Sequence, residues 1–147
     1  MIRFHLEKPT ECAQDYLACI LELIEMKGYA RLTDVSATLV VTESSACAMI
    51  KELARQGYVK REKYRGFTLT EPGQTVARQV QSRRLVLINY LRSLGLPDHI
   101  ILHDVDGLEH HLSKETLECL KRLVKADSDQ RTCQTDKPTI TPPGLQG

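Results

Sequence analysis

The sequence lacks the features of membrane-spanning and disulfide-rich proteins. No stretch approaches the roughly 18–20 consecutive apolar residues that a membrane-spanning helix needs. The five cysteines are scattered and form no CxxC pair, which argues against a disulfide scaffold and against a zinc ribbon. Residues 1–11 include Arg3, Glu7 and Lys8 and contain no apolar run of the kind found in signal peptides. We therefore expect a cytoplasmic protein that does not contact a membrane.

The sequence also lacks a strong overall charge and the common catalytic motifs. Its net charge is +1 over 147 residues, so any contact with nucleic acid must come from a local basic patch. No HExxH zinc motif, phosphate-binding GxxxxGK loop or GxSxG nucleophile elbow is present. We expect neither enzymatic activity nor a small-molecule substrate.

The first half of the chain has the order of elements found in winged-helix domains. Leucine and isoleucine side chains at helical spacing predict a helix over 15–27 and a shorter helix after it. Thr42 is predicted to cap a third helix, because threonine is a favoured residue at that position. The spacing of apolar residues then changes from the helical period to the two-residue period of strands. This change predicts a hairpin formed by residues 58–61 and 66–70. This order predicts a winged helix-turn-helix domain over 1–71.

The second half of the chain is predicted to be helical. A long helix runs from Pro72 to about Leu94, and two more helices follow, the last one capped by Ser113. Their apolar faces exceed what one thin layer of helices can bury, so we expect domain 72–126 to dimerise. Residues 127–147 are rich in Thr, Gln and Pro and are predicted to be a disordered tail. The expected fold is mainly α, with a two-stranded wing in the first domain.

Basic and hydroxyl side chains concentrate on the predicted third helix and on the hairpin. The segment 31–70 contains seven Lys or Arg residues and only four Asp or Glu residues. Charge alone is equally consistent with a solvated surface, because basic patches of this size are common. The order of elements favours DNA binding, since Lys, Arg and helix N-termini are the usual contacts to phosphates. The candidate DNA-contacting residues are Thr42, Ser44, Ser45, Lys51, Lys63 and Arg65.

A group of possible metal ligands lies in the second half of the chain. Asp106, Glu109 and His110 are spaced at i, i+3 and i+4, so on a continuous helix they would point to one side. Two carboxylates and an imidazole suit a hard or borderline divalent ion. Taken alone, however, such a triplet more often belongs to a solvated polar face.

Several separated motifs together resemble those of one known family. The segments KGYAR (27–31), EKYRG (62–66) and DVDGLEHHL (104–112), with Ser44 and Ser45 before Met49, resemble the DtxR/MntR metalloregulators. The similarity is greatest to the manganese-responsive MntR branch and extends over about residues 13–125. It implies a homodimeric, metal-dependent repressor that binds a double-stranded DNA operator and controls metal-ion homeostasis. The rival interpretation is a metal-independent winged-helix regulator of this family with a degenerate metal site.

The resemblance also implies a set of metal ligands. Asp15 on the first helix would join Asp106, Glu109 and His110. Iron-type members of the family tend to carry Met and Cys at the positions of Asp15 and Asp106, so two oxygen donors there favour Mn²⁺, with Fe²⁺, Zn²⁺ and Co²⁺ as alternatives. Manganese-type members usually have Glu where Asp106 stands. Cys19, one helical turn after Asp15, is a further candidate ligand as a thiolate, or else a small core residue.

Two positions depart from the manganese-branch pattern. Ala18 stands where that branch has Glu, and Arg84 stands where it has His. Both family residues would serve a second ion, and an arginine stays protonated and does not ligate a metal, so the second site is predicted to be missing. Two orientations of Arg84 are open. Its guanidinium could pair with Asp15 or Glu109, or it could turn outward beside Arg83.

Overall fold

Helices make up most of the protein, and a computed structural model describes residues 8–133 of the chain. The elements in order are α1 (Glu11–Lys27), α2 (Leu32–Leu39), α3 (Glu43–Arg55), β1 (Val59–Glu62), β2 (Gly66–Leu69), α4 (Glu71–Ser93), α5 (Asp98–His111) and α6 (Lys114–Cys133). The mainly helical fold with a two-stranded wing is thereby confirmed. The chain divides into two compact units between Leu85 and Val86, inside α4. No helix within 8–133 is both long and apolar enough to cross a membrane.

Local side-chain and backbone signals define the ends of the helices in the first unit. Thr10 Oγ1 accepts a hydrogen bond from the backbone N–H of Ala13 at 3.2 Å, and Thr42 Oγ1 accepts one from the N–H of Ser45 at 3.2 Å. Each bond satisfies a donor that has no partner within the helix itself. Gly28 ends α1 in the left-handed region, with φ 82°. The predicted cap at Thr42 is thus confirmed.

The core of the first unit lies between α1, α2, α3, the two strands and the start of α4. Leu17, Ile20 and Leu53 are among its fully buried side chains. Burying one such side chain contributes about 1.5–3 kcal/mol, so the apolar faces of α1 and α3 hold the two helices together. The opposite, polar face of α3 is therefore presented to solvent.

The hairpin is attached to the rest of the first unit at the loop between α1 and α2. Strands β1 and β2 are antiparallel, with Glu62 opposite Gly66. The N–H of Phe67 donates to the carbonyl of Ala30 at 2.8 Å, and this contact forms an isolated bridge. A Cβ added at Gly66 would lie 2.1 Å from that carbonyl oxygen, so only glycine allows this close approach. The wing is consequently held in a defined position beside α3.

The second unit has a smaller core. Leu87, Ile101 and Val105 form a buried apolar cluster, and partly buried leucine and isoleucine side chains surround them. The N–H of Thr116 donates to Ser113 Oγ at 3.1 Å, which confirms the predicted cap of α6. This core joins the end of α4 with α5 and with α6.

Helix α6 is longer than the sequence predicts. It continues to Cys133, whereas the predicted disordered tail begins at residue 127, so that prediction was wrong for 127–133. The apolar pattern ends near Ala126, but adding a residue to an existing helix gains a backbone hydrogen bond without the cost of nucleation. The remainder of the predicted tail, 134–147, lies outside the described residues.

Candidate metal centre and nucleic-acid interface

The first turn of α3 exposes the hydroxyl groups that the sequence singles out. Ala46 and Ile50 face the core, and Ser44 and Ser45 on the other side are exposed. Thr42 Oγ1 donates to Ser45 Oγ at 2.9 Å, so these two hydroxyls are held next to each other. The backbone N–H groups at a helix N-terminus attract anions such as phosphates. The geometry of this turn therefore suits contact with a DNA backbone and with nearby base edges.

The hairpin places basic side chains beside α3. Lys63 and Arg65 lie in the exposed turn between β1 and β2. A cavity of about 680 Å³ separates the wing from α3, and Lys51, Arg61 and Lys63 are among the residues that line it. Arg31 also borders this cavity. Arg31 and Arg61 are not among the candidate DNA-contacting residues predicted from the sequence, although both belong to the basic segment 31–70.

One arginine of α3 has a partner that balances its charge. Arg55 Nε donates to Glu52 Oε2 at 2.9 Å, and this hydrogen bond lowers the pKa of Glu52 to about 2. Within residues 8–133, by contrast, Lys51, Lys63 and Arg65 make no ion pair. The positive potential beside α3 therefore comes from the wing and from Lys51 more than from Arg55.

The three candidate ligands Asp106, Glu109 and His110 do not lie on one continuous helix. Helix α5 is interrupted at Asp106 and Gly107, where Asp106 has ψ 108° and Gly107 has φ 90°. A residue with a left-handed φ is easily accommodated only by glycine. Because the helix does not continue from Asp106 to Glu109, the expectation that the three side chains share one helix face is wrong. Asp106 is exposed, and its role as a ligand stays a prediction.

Glu109 and His110 form a buried pair of possible ligands. Glu109 is completely buried, and the side chain of His110 is only 4% exposed. His110 Nε2 lies 3.8 Å from Glu109 Oε1, and each residue offers one atom that could bind a metal. A carboxylate oxygen beside an imidazole nitrogen suits a borderline divalent ion, and charge interactions are stronger in a buried site than in water. The donor chemistry of this pair therefore fits a metal ion.

Asp15 and Arg84 form an ion pair between α1 and α4 in the first unit. Arg84 Nη2 donates to Asp15 Oδ1 at 3.0 Å, and each side chain is 32% exposed. Of the two orientations that the sequence left open for Arg84, the structure thus has the one that pairs with Asp15. Ala18, one turn along α1, is buried and its methyl group provides no ligand atom.

Cys19 belongs to the core of the first unit. It is buried among the apolar residues of that core, and burial raises the pKa of its thiol to about 11. A hydrogen bond with Thr38 and the guanidinium of Arg84 each lower the pKa of Cys19, but the effect of burial is larger. The thiol is therefore protonated at neutral pH, which supports the core interpretation over a thiolate ligand.

These features define a class of protein: a DNA-binding regulator with a winged helix-turn-helix unit and a second, helical unit. Comparison with known families agrees. The family profile described as "Iron dependent repressor, N-terminal DNA binding domain" matches residues 8–67, and "Iron dependent repressor, metal binding and dimerisation domain" matches residues 70–139. The chain belongs to the iron dependent repressor family and is a DNA-binding transcriptional regulator.

Individual relatives show the same relationship. The HTH-type transcriptional regulator MntR of Lysinibacillus sphaericus (strain C3-41) is 38% identical over 117 residues, which are 80% of this chain and 84% of that protein. The crystal structure of T. acidophilum IdeR is 28% identical with a TM-score of 0.68, over 80% of this chain and 55% of that one. A manganese-dependent transcriptional repressor in complex with manganese is 25% identical with a TM-score of 0.68, over 77% of this chain and 52% of that one. This chain spans about half the length of those two solved structures.

Proposed function

We propose that the protein is a manganese-dependent repressor that binds a DNA operator as a homodimer and controls metal-ion homeostasis. The observation that carries the metal dependence is the buried Glu109–His110 pair, which combines an oxygen and a nitrogen donor. The similarity to MntR and to a repressor that binds manganese supports the choice of ion. Fe²⁺, Zn²⁺ and Co²⁺ are the alternatives, since imidazole and carboxylate ligands also accept them.

The ligands we propose are Asp15, Asp106, Glu109 and His110. Three carboxylates and one imidazole form an oxygen-rich set, which suits Mn²⁺ better than softer ions. When bound, the ion supplies the positive charge that offsets repulsion among the carboxylates. Ligands drawn from both α1 and α5 would make ion binding favour one arrangement of the two units, the one that binds DNA.

The DNA contacts we propose fall into two groups. Lys51, Lys63 and Arg65 would bind phosphates, because their charges are exposed beside α3. Ser44 and Ser45 would reach base edges from the first turn of α3, and Thr42 would hold Ser45 in place through its hydroxyl. Substitutions at Ser44 or Ser45 should therefore change the preferred DNA sequence, whereas substitutions at the basic residues should weaken binding to every sequence.

Exposed apolar side chains in the second unit support the proposed dimer. Leu94 directly follows α4, Leu102 lies on α5 and Leu123 lies on α6, and all three side chains are more than half exposed. A second copy of the chain is the partner typical of two-fold regulators, and removing these apolar side chains from water would stabilise such a dimer. Sedimentation at micromolar concentration with Mn²⁺ should give a dimer; a monomer would contradict the proposal.

The experiment that tests the function is DNA binding measured with Mn²⁺ and with a chelator. The probe is a duplex selected from a random library by the Mn²⁺-loaded protein. The wild type should bind it strongly only with Mn²⁺, and His110→Ala should lose this stimulation because it removes one of the four proposed ligands, the buried nitrogen donor. His103→Ala is the matched control, since His103 is a histidine of the first part of α5 with a side chain that is 88% exposed. An undiminished response in His110→Ala would contradict the proposed site.

One observation favours the metal-independent alternative. The guanidinium of Arg84 already places a positive charge 3.0 Å from Asp15, so part of the role of an ion could be met by the protein itself. In that case the wild type would bind the selected duplex equally well in chelator and in Mn²⁺. The same pair of measurements therefore decides between the two functions.

A further inference from the structure

We infer that Arg84 sets the metal concentration at which the protein responds, by competing with the divalent ion for Asp15. This inference rests on the proposed metal-dependent function. Arg84 would act as a built-in cation that neutralises Asp15 before any ion arrives. An incoming ion must then share Asp15 with a guanidinium or displace it, so the affinity of the site is lower than its ligands alone would give.

Arg84 and Asp15 are close enough for the guanidinium to neutralise the carboxylate. Arg84 Nη2 donates to Asp15 Oδ1 at 3.0 Å, and the residues are 69 positions apart in the sequence. A hydrogen bond between a guanidinium and a carboxylate is charge-assisted and stronger than one between neutral groups. Both side chains are two-thirds buried, so water and salt screen the interaction less than they screen a surface pair.

The neighbours of Asp15 on α1, Ala18 and Cys19, provide no charged ligand. Ala18, one turn further along, is buried and adds neither charge nor a ligand atom. Cys19, in the same turn, is a protonated thiol, and the charge of Arg84 reaches it and partly offsets the effect of burial on its pKa. Glu22 also lies close enough to influence the pKa of Cys19. The guanidinium of Arg84 is a fixed positive charge beside Asp15.

The chain provides a matched control for this ion pair. Arg78 Nη1 lies 3.6 Å from Glu25 Oε1, so a second Arg–carboxylate pair joins the same two helices. Its side chains are 61% and 48% exposed, and neither residue is among the proposed ligands. Neutralising Arg78 changes the net charge by the same amount as neutralising Arg84 but leaves Asp15 paired.

The test is calorimetric titration of Mn²⁺ into four metal-free proteins: the wild type, Arg84→Gln, Arg84→Lys and Arg78→Gln. We expect Arg84→Gln to bind the ion at least tenfold more tightly than the wild type, with the difference shrinking as salt rises. Arg84→Lys keeps the charge, and Arg78→Gln keeps the pair with Asp15, so both should stay within threefold of the wild type. Thermal unfolding checks that each protein is folded, and Arg84→Met is the second neutral variant if Arg84→Gln is not.

The outcomes separate this inference from the function on which it rests. If the wild type binds Mn²⁺ and the neutral variant binds no more tightly, the inference is overturned and the proposed function stands. If Arg78→Gln gains as much affinity as Arg84→Gln, net charge is responsible and the inference is again overturned. If none of the proteins binds Mn²⁺, both are overturned. Binding by Arg84→Gln alone would support the inference and favour the metal-independent regulator for the wild type.

Discussion

Arg84 and Asp15, on helices α4 and α1, are joined by a hydrogen bond of 3.0 Å between Nη2 and Oδ1. This pair leads to a prediction about stoichiometry. We expect one Mn²⁺ per protomer, because a second ion beside the first would be repelled by the guanidinium and would find no ligand atom at Ala18. Calorimetry on the wild type measures the number directly, and two bound equivalents would contradict the prediction.

Substitutions at the two unusual positions sharpen the same test. Ala18→Glu combined with Arg84→His removes the fixed charge and adds two ligand groups, so this double variant should bind a second ion. Arg84→Ala alone adds no ligand and should still bind one. A single equivalent in the double variant would show that these two positions do not define a second site.

The second prediction concerns the wing. Replacing Lys63 and Arg65 by Ala should weaken binding to every duplex. The slope of the logarithm of the binding constant against the logarithm of the salt concentration should become shallower by about 0.9 per lost phosphate contact. The measurement is fluorescence anisotropy over a range of salt concentrations. Lys114 and Lys125, both exposed on α6, provide a control with the same change in charge, and their replacement should leave the salt dependence unchanged. Wild-type affinity in the wing variant at moderate salt would show that the hairpin does not contact DNA.

The third prediction concerns the turn between α2 and α3. Val40 has φ 55° and ψ 48° and is 89% exposed, so a β-branched residue adopts a left-handed conformation without burying its side chain. Val40→Gly removes the cost of a left-handed backbone at a residue with a Cβ, which is about 1–2 kcal/mol. Glycine also gives the unfolded chain more conformational entropy, which lowers stability by about 0.4–1 kcal/mol. We therefore expect a gain of about 0.5–1 kcal/mol in the free energy of unfolding, measured with urea.

The neighbouring valine is the control for this substitution. Val41 is less exposed and is not one of the residues with positive φ. Val41→Gly should therefore lower the free energy of unfolding, because it loses packing and gains unfolded-state entropy without relieving strain. A loss of stability in both variants would show that the conformation of Val40 stores no strain.

The fourth prediction concerns cysteine reactivity. Burial raises the pKa of Cys19 to about 11, so its thiolate fraction at pH 8 should be roughly a hundred times smaller than that of an ordinary cysteine. Because the thiolate is the reactive form, iodoacetamide should modify the exposed Cys12 and Cys119 long before Cys19. Mass spectrometry of the peptides over time measures the three rates. Equal rates in the folded protein would contradict the buried, protonated state of Cys19.

The parts of the fold that were predictable depend on residues close together in the sequence. Thr42 and Ser113 cap helices through bonds to the N–H three positions later, and Gly28 ends α1 because its left-handed backbone suits glycine. These contacts need only local chain geometry. The length of α6 was not predictable in this way, because a polar helix extended from an existing one carries no apolar period.

The sequence alone determined the family, the winged helix and the identity of the candidate donors, since these depend on residue type and order. Tertiary structure decided how the donors are presented. The break at Gly107 separates Asp106 from the helix that carries Glu109 and His110, and packing makes Glu109 the most buried charged residue of the described chain. The direction of Arg84 was also undetermined, because an arginine on a long helix can face solvent or a neighbour equally well. Only the packing of α4 against α1 brings it to Asp15, since no local interaction links residues 69 positions apart.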